Sequence, residues 1–495
     1  MYSFPRGGIL FEDSRVTPIS AFRNGSWGRS VPAFFRNIWE SEHPLINIVR
    51  KGLNVFKASA VAQRDPISQT ETQPMLKPAS GSGYIDSFLP VLSVIPLTQN
   101  NGAKTRRLVE VGDMVREGML VGKGEEAGAA NIHASVPGTV VRLVSWEMAE
   151  GVMNEGVVIR LGGTFERSGK QEEALPWDHL TSAELRKRVK DCGVVEMEGS
   201  GKPVVETLIE FDNGPKPLSL VVSCVFDDPW RVADYVLCQE YLESVVEGSA
   251  IINKMCGAEQ IIYAVSSREQ GLGERLIAEA AKYHIPSSIV SVGYRYPQGN
   301  HRELELALRI YEERENVKLG RLFIQGPATL AAVRDAVVLE KPLLERFVAV
   351  GGSAVRKPQV LRARIGKRIR EAFDECGGFV REPSRIAEGS PLSGRCIANL
   401  DEPISKTTYA LFALLPKQVG GKVTRSCIGC GECRLVCPVG LDPEVLFKRI
   451  ESRVQVAPWV FECHGCGCCN VVCPSRLPLS TLVTNAAVLE RKKNA

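Results

Sequence analysis

The apolar positions of this chain change their period several times, and each change marks a different unit. Residues 86–165 read as short strands punctuated by turns such as Gly112-Asp113 and Pro137-Gly138. Across 180–345 the pattern alternates. The runs 218–225 and 260–265 are continuously apolar and predict buried strands, 322–325 predicts another, and 275–283 and 303–313 carry the spacing of amphipathic helices. That alternation predicts a doubly wound α/β domain. A small mixed unit follows at 346–412: a strand at 346–350, the Gly351-Gly352 turn, a helix near 369–376, then Gly377-Gly378. Residues 416–480 form a last domain around a helix at 443–454, and 481–495 read as a basic tail. Residues 1–85 are an irregular extension and linker, with basic-aromatic stretches at 22–27 and 34–56. In the second of these, Phe34, Phe35, Ile38, Trp39, Ile46, Val49, Leu53 and Phe56 follow a helical period interrupted at Pro44. Such a stretch either packs on its own protein or docks on a membrane partner or bilayer surface.

Composition narrows the class. At 495 residues the chain has room for three or four cores. Its 44% hydrophobic and 24% charged residues are those of an ordinary globular protein. A net charge of +4 argues for no nucleic-acid partner. No apolar stretch reaches the length of a bilayer, so membrane association is expected to be peripheral.

Cysteine placement changes the picture most. Nine of fifteen cysteines fall between 427 and 473. Cys427, Cys430, Cys433 and Cys437 spell C-x2-C-x2-C-x3-C-P, and Cys463, Cys466, Cys469 and Cys473 repeat it. This doubled run is the ligand pattern of two [4Fe–4S] clusters, in which the fourth cysteine reaches across to the other cluster. The expected sets are therefore Cys427, Cys430, Cys433 and Cys473 for one cluster, and Cys463, Cys466, Cys469 and Cys437 for the other. Zinc generally uses two pairs of ligands instead. Disulfides need an oxidising compartment, and no secretory signal is read at the N-terminus. Cys468 is surplus. The other six cysteines (Cys192, Cys224, Cys238, Cys256, Cys376 and Cys396) are expected to be free and buried, in a reducing cytoplasm.

Two segments, Val111-Gly-Asp-Met-Val-Arg-Glu-Gly-Met-Leu120 and Ile132-His-Ala-Ser-Val-Pro-Gly-Thr-Val140, resemble a biotinyl/lipoyl-type hybrid barrel. The attachment lysine of such carriers would fall near Ala127, where there is none, so the module reads as structural or docking. His133 is expected to be a turn or core residue.

Barrel, α/β domain, β-grasp (SLBB-like) unit and twin-cluster ferredoxin-like domain, in that order, resemble the RnfC family, peripheral subunits of the Rnf ion-translocating electron transport complex. The resemblance is carried by Phe4-Pro-Arg-Gly-Gly-Ile9, Ile95-Pro-Leu-Thr-Gln99, Tyr296-Pro-Gln-Gly299, Gln325-Gly-Pro-Ala-Thr329 and Arg346-Phe-Val-Ala-Val-Gly-Gly352. A cobalamin-reductase relative, PduS, shares the modules but places its barrel last. The family implies FMN and NADH on the α/β domain, other Rnf membrane subunits as partners, soluble ferredoxin or NADH as the electron pool, and the cytoplasmic membrane face. No side chain acts as acid, base or nucleophile. By position, Gly199, Gly201, Pro203, Asp228 and Asp234 match the FMN/NADH residues.

Three departures oppose that binding. Glu196 and Glu198 stand where the G-x-G-G-x-G-F-P loop has glycines, Ser223 and Phe226 replace an Asn and a Glu, and Glu388-Gly-Ser-Pro-Leu-Ser-Gly394 replaces G-G-P-M-M-G. A carboxylate about 4 Å from a phosphate costs about 4 kcal/mol at an effective dielectric near 20, close to a thousandfold in affinity. FMN and NADH are therefore expected to bind weakly or not at all. Three readings follow: an active dehydrogenase subunit, an electron-conducting scaffold that has lost FMN and NADH, or a soluble PduS-like flavin or cobalamin reductase.

Overall fold

The computed structural model describes residues 83–99, 103, 105–147, 153–165, 174–198, 201–226, 231–293, 296–416, 423–456 and 458–494. The aromatic stretches of the N-terminal extension lie outside them.

Strand β1 (Ile85–Asp86) does not open the barrel. It pairs in parallel with a strand more than 270 residues away, Ile85 opposite Leu361. The barrel's own strands are β2 (Leu92–Pro96), β3 (Arg106–Arg107), β4 (Met114–Val115), β5 (Leu120–Lys123), β6 (Ile132–His133), β7 (Gly138–Glu147) and β8 (Met153–Leu161). They form two sheets, β2-β8-β7-β4 and β3-β5-β6, closed over Ile95, Val121, Val140, Val157 and Ile159. The β5–β6 hairpin, where a carrier would bear its cofactor, is tied down. The Gly128 amide donates to Glu206 of the next domain at 2.7 Å. His133 is a buried core residue whose imidazole is pushed down to about 3, first by burial and then by the Lys406 ammonium.

The α/β domain runs α1 (Ser182–Asp191), α2 (Val204–Asp212), β9 (Leu218–Cys224), α3 (Val232–Glu240), α4 (Leu242–Cys256), β10 (Gln260–Ser266), α5 (Gln270–Ala280), β11 (Ser287–Val292), α6 (His301–Glu315), β12 (Arg321–Gln325) and α7 (Pro327–Val338). Its sheet is wholly parallel, in the order β11-β10-β9-β12. Every residue of β9 is buried, as a strand covered on both faces requires. Thr181 and Glu184 close a capping box at the head of α1. Helix α5 starts five residues earlier than the apolar pattern suggests, so Gly271 and Gly273 lie inside its first turn rather than in a loop before it.

In the third unit, β13 (Glu345–Gly351), β14 (Gln359–Arg364), α8 (Ile369–Glu375), β15 (Arg385–Glu388), β16 (Arg395–Cys396) and β17 (Ala410–Leu414) build a sheet of order β1-β14-β13-β17-β15-β16. Alternation along β13 divides two cores. Val348 and Val350 meet Ile369 and Phe373 of α8, while Phe347 and Ala349 join the core of the α/β domain. Lys406 pins three units together. Its buried Nζ donates to Asn131 O (2.7 Å) and Gly193 O (2.8 Å), and its amide donates to Gln99 Oε1 (3.0 Å).

The last domain holds α9 (Glu432–Leu435), α10 (Pro443–Glu451), α11 (Cys468–Val472) and α12 (Leu479–Asn494). Residues 481–494 of the expected tail are instead the body of α12. Val483, Ala486 and Ala487 fall on one helical face and pack on Leu446, Val456 and Val460, which carries the helix past the domain edge. Of the six scattered cysteines, five are buried and Cys396 is exposed, because it sits on the edge strand β16.

Candidate functional site

Each cysteine run is shaped by two glycines in left-handed backbone. Gly429 and Gly431 (φ 68° and 76°) flank Cys430, and Gly465 and Gly467 (φ 66° and 78°) flank Cys466. A side chain at these angles is strained, so glycine lets the chain wrap its thiols toward a common centre. Gly431 and Gly467 then open the short helices α9 and α11, which carry Cys433 and Cys469 inward.

Two cavities result. Cys427, Cys430, Cys433 and Cys473 line the first, together with Ile428, Glu444 and Leu477. Cys437, Cys463, Cys466 and Cys469 line the second, together with Leu441, His464 and Cys468. Each cavity thus draws three cysteines from one run and the fourth from the other. Backbone amides donate to the sulfurs in matching places. Gly429 N–H reaches Cys427 Sγ (3.4 Å) and Gly465 N–H reaches Cys463 Sγ (3.4 Å), while Leu441 reaches Cys437 (3.3 Å) and Leu477 reaches Cys473 (3.4 Å). Among the described residues, no three His, Cys, Asp or Glu side chains are gathered tightly enough to grip a single ion.

Burial pushes the Cys433 and Cys437 thiols up to about 11 and raises Cys469 further. Thiolates in these walls would be favoured by a positive charge beside them, which iron would supply if bound. The donor set, the amide–sulfur bonds and the enclosed apolar walls fit a pair of polynuclear clusters. Cys468 is more than packing. Its buried thiol donates to Cys466, holding that thiol below its ordinary range while its own rises well above.

The two cavities differ in surroundings. Around the second, Tyr296 Oη donates to Cys466 O (2.7 Å), Arg302 donates to Phe461 O (2.8 Å), and His464 Nδ1 lies 3.1 Å from Glu303 in a buried pair. These contacts dock it on the α/β domain. At the first, Cys430 and Ile428 of the cavity wall are exposed.

The expected nucleotide residues are only partly in view, since Gly199 and Asp228 lie outside the described residues. Gly201 takes φ 67° and Pro203 precedes α2 as its cap. Asp234 is buried, paired with Arg231 (3.0 Å) and Arg346 (3.5 Å). Glu196 accepts from Gln325 Nε2 (3.0 Å). Glu198 accepts from Thr329 N–H (3.0 Å) and Thr329 Oγ1 at the head of α7. Lys202, in the same loop, pairs with Glu210 (3.2 Å). Arg346 was not singled out from the sequence. An arginine entering an otherwise apolar strand was the available signal, and it proves fully buried.

Three comparisons bear on these parts. The family description "RnfC Barrel sandwich hybrid domain" matches residues 77–164, and "Nuo51 FMN-binding domain" matches 189–333. The component designated C in the proton-translocating ferredoxin:NAD(+) oxidoreductase complex of Clostridium ljungdahlii is 30% identical over 72% of this chain and 78% of its own length. Its counterpart in the ion-translocating oxidoreductase complex of Rhodobacter capsulatus is 30% identical over 74% and 70%. That of the Na(+)-translocating ferredoxin:NAD(+) oxidoreductase complex of Acetobacterium woodii is 28% identical over 72% and 80%. Among solved structures, an NAD+-reducing [NiFe]-hydrogenase aligns at 16% identity and a TM-score of 0.43, over 60% of this chain and 62% of its own.

Proposed function

The chain belongs to the RnfC family, and from that premise we propose that it conducts electrons one at a time through two [4Fe–4S] clusters. In this reading it links a soluble NADH or ferredoxin pool to the membrane subunits of an ion-translocating oxidoreductase complex, as a peripheral subunit on the cytoplasmic face. The carrying observation is the exchanged fourth cysteine, which walls each cavity with four thiols and joins the two into one unit. Among the described residues no helix is long and apolar enough to cross a membrane. The relatives' names favour this over a soluble flavin or cobalamin reductase.

Bound clusters would supply one-electron exchange. The chain's residues supply the rest. Eight thiols ligate, four backbone amides donate to ligand sulfurs and stabilise the more negative state, and Leu441, Leu477 and Leu479 exclude water. Docking of the second cavity on the α/β domain and exposure at the first give the two clusters different neighbours, that domain for one and a protein partner for the other.

Ligand exchange makes the reading testable. Anaerobically reconstituted protein should carry about eight irons. Cys427→Ser and Cys473→Ser should each lower this to about four and leave the same residual EPR spectrum, while Cys437→Ser and Cys463→Ser should share the other. If Cys473→Ser instead matches Cys463→Ser, the crossed assignment is wrong.

A further inference from the structure

The match to an FMN-binding domain implies a flavin whose phosphate is held by backbone amides, so the described residues of that cradle can be tested for fit. They do not fit. Of the loop amides, Glu196 N–H donates to Lys202 O (2.8 Å), Gly201 N–H to Glu196 O (3.1 Å) and Met197 N–H to Thr329 Oγ1 (2.9 Å). All three are spent within the protein.

The neighbouring helix terminus is spent too. Amides at the start of α7 form an anion-binding end, and Glu198 caps it through Thr329 N–H and Oγ1. Gly326 makes the room. Its φ of −96° suits any residue, so the missing side chain serves space rather than conformation. A Cβ there would lie 2.3 Å from Glu198 Cδ. The space a phosphate could use at this glycine already holds a carboxylate.

We propose that the Glu198 carboxyl occupies this domain's phosphate cradle, so that the chain holds FMN no more tightly than a flavin lacking the phosphate. The surrounding charge agrees. Burial and then the neighbouring Asp234 push the Glu198 carboxyl up, so the site disfavours added negative charge, while Arg231 is paired with Asp234 and Arg346 reaches it through Nη2. An incoming phosphate dianion would meet the carboxyls of Glu198 and Asp234, and in a low-dielectric site that repulsion is poorly screened. Displacing Glu198 would strand the Thr329 donors until phosphate replaced it. This inference rests on the domain match and not on the cluster reading, because iron content and flavin content are measured separately.

The test compares FMN with riboflavin, which differs only by the phosphate, by equilibrium dialysis against the cluster-reconstituted full chain. The wild type should bind the two within about threefold, and Glu198→Gly should tighten FMN at least about tenfold with riboflavin unchanged. Glu198→Gln keeps the volume and removes the charge. It should tighten FMN by a smaller factor, and it serves if the glycine variant loses its thermal midpoint. Co-purification of stoichiometric FMN, a wild-type preference for FMN of about tenfold or more, or equal FMN affinity in wild type and both folded variants would each overturn the proposal.

Discussion

Gly431 and Gly467 occupy equivalent places in the two cysteine runs and adopt nearly the same φ, 76° and 78°, yet only one is crowded. A Cβ on Gly431 meets nothing within 4 Å, whereas one on Gly467 would lie 2.6 Å from the Leu392 carbonyl oxygen. Alanine at either site therefore pays the same left-handed backbone cost, about 1–2 kcal/mol. At Gly467 it also overlaps rigid backbone of the β-grasp unit. Relief requires the loop to back away, which strains the Tyr296–Cys466 and Arg302–Phe461 hydrogen bonds. Overpacking of this kind adds about 1–3 kcal/mol. The two variants should thus differ by about tenfold or more in the population of the undocked loop. Chelator-driven iron loss, followed cluster by cluster with EPR, reads this directly. Gly431→Ala should keep both signals, while Gly467→Ala should release iron from the second cavity about tenfold faster and leave the first intact. Equal release from both variants would refute the docking geometry.

His133 gives a pH dependence of fixed sign. Its folded pKa is depressed from 6.5 to about 3, so below pH 6.5 the unfolded state takes up a proton that the fold refuses, and stability falls with pH. By pH 5 the loss is about 2 kcal/mol. His133→Leu should remove that increment from the opening free energy of β5–β6 amides in hydrogen exchange between pH 7 and 5, and an unchanged slope would count against a neutral buried imidazole. Glu206→Ala should free the hairpin tip at a cost of about 1 kcal/mol. Exchange of the Gly128 amide should then quicken several-fold while the α/β core stays protected, and unaltered exchange would mean that the contact does not hold the tip.

What the sequence could reveal depended on how local each feature's cause was. The ligand runs were legible because left-handed glycines and three-residue spacing act within a dozen residues. Continuous apolar runs likewise announced β9 and β10. Strand β11 was not foreseen, since Ser287, Ser288 and Ser291 lend it no apolar run. Pairing of Ile85 with Leu361 has no local sign at all, and α12 was misread because its terminal basic residues hide the apolar face that precedes them. At the α/β cleft, identity was legible and direction was not. Glu198 stood out as an acid where glycine belongs, but only the fold shows its carboxylate turned to the head of α7. Arg346 and Lys406 carry their meaning entirely in what surrounds them.

The equality of the two runs in sequence conceals an inequality that bears on direction. Both cavities have four thiols and the same two amide–sulfur bonds, so ligation alone gives no reason for electrons to prefer one way. The difference lies outside the ligands. The second cavity carries a buried His464–Glu303 pair and hydrogen bonds from two residues of the α/β domain, contacts that fix its position against that domain. At the first, Ile428 and Cys430 in the cavity wall are exposed at the surface. Water and a docking partner act on an exposed centre far more than on an enclosed one. The first cavity is therefore where a partner's arrival would adjust the potential, and the second is where the chain sets it. If the flavin cradle is filled by Glu198, the enclosed end loses its nearest resident donor. Reduction by NADH alone should then fail while dithionite or reduced ferredoxin succeeds. Rapid NADH reduction of both clusters in the isolated chain would restore the dehydrogenase reading and remove Glu198 from the cradle.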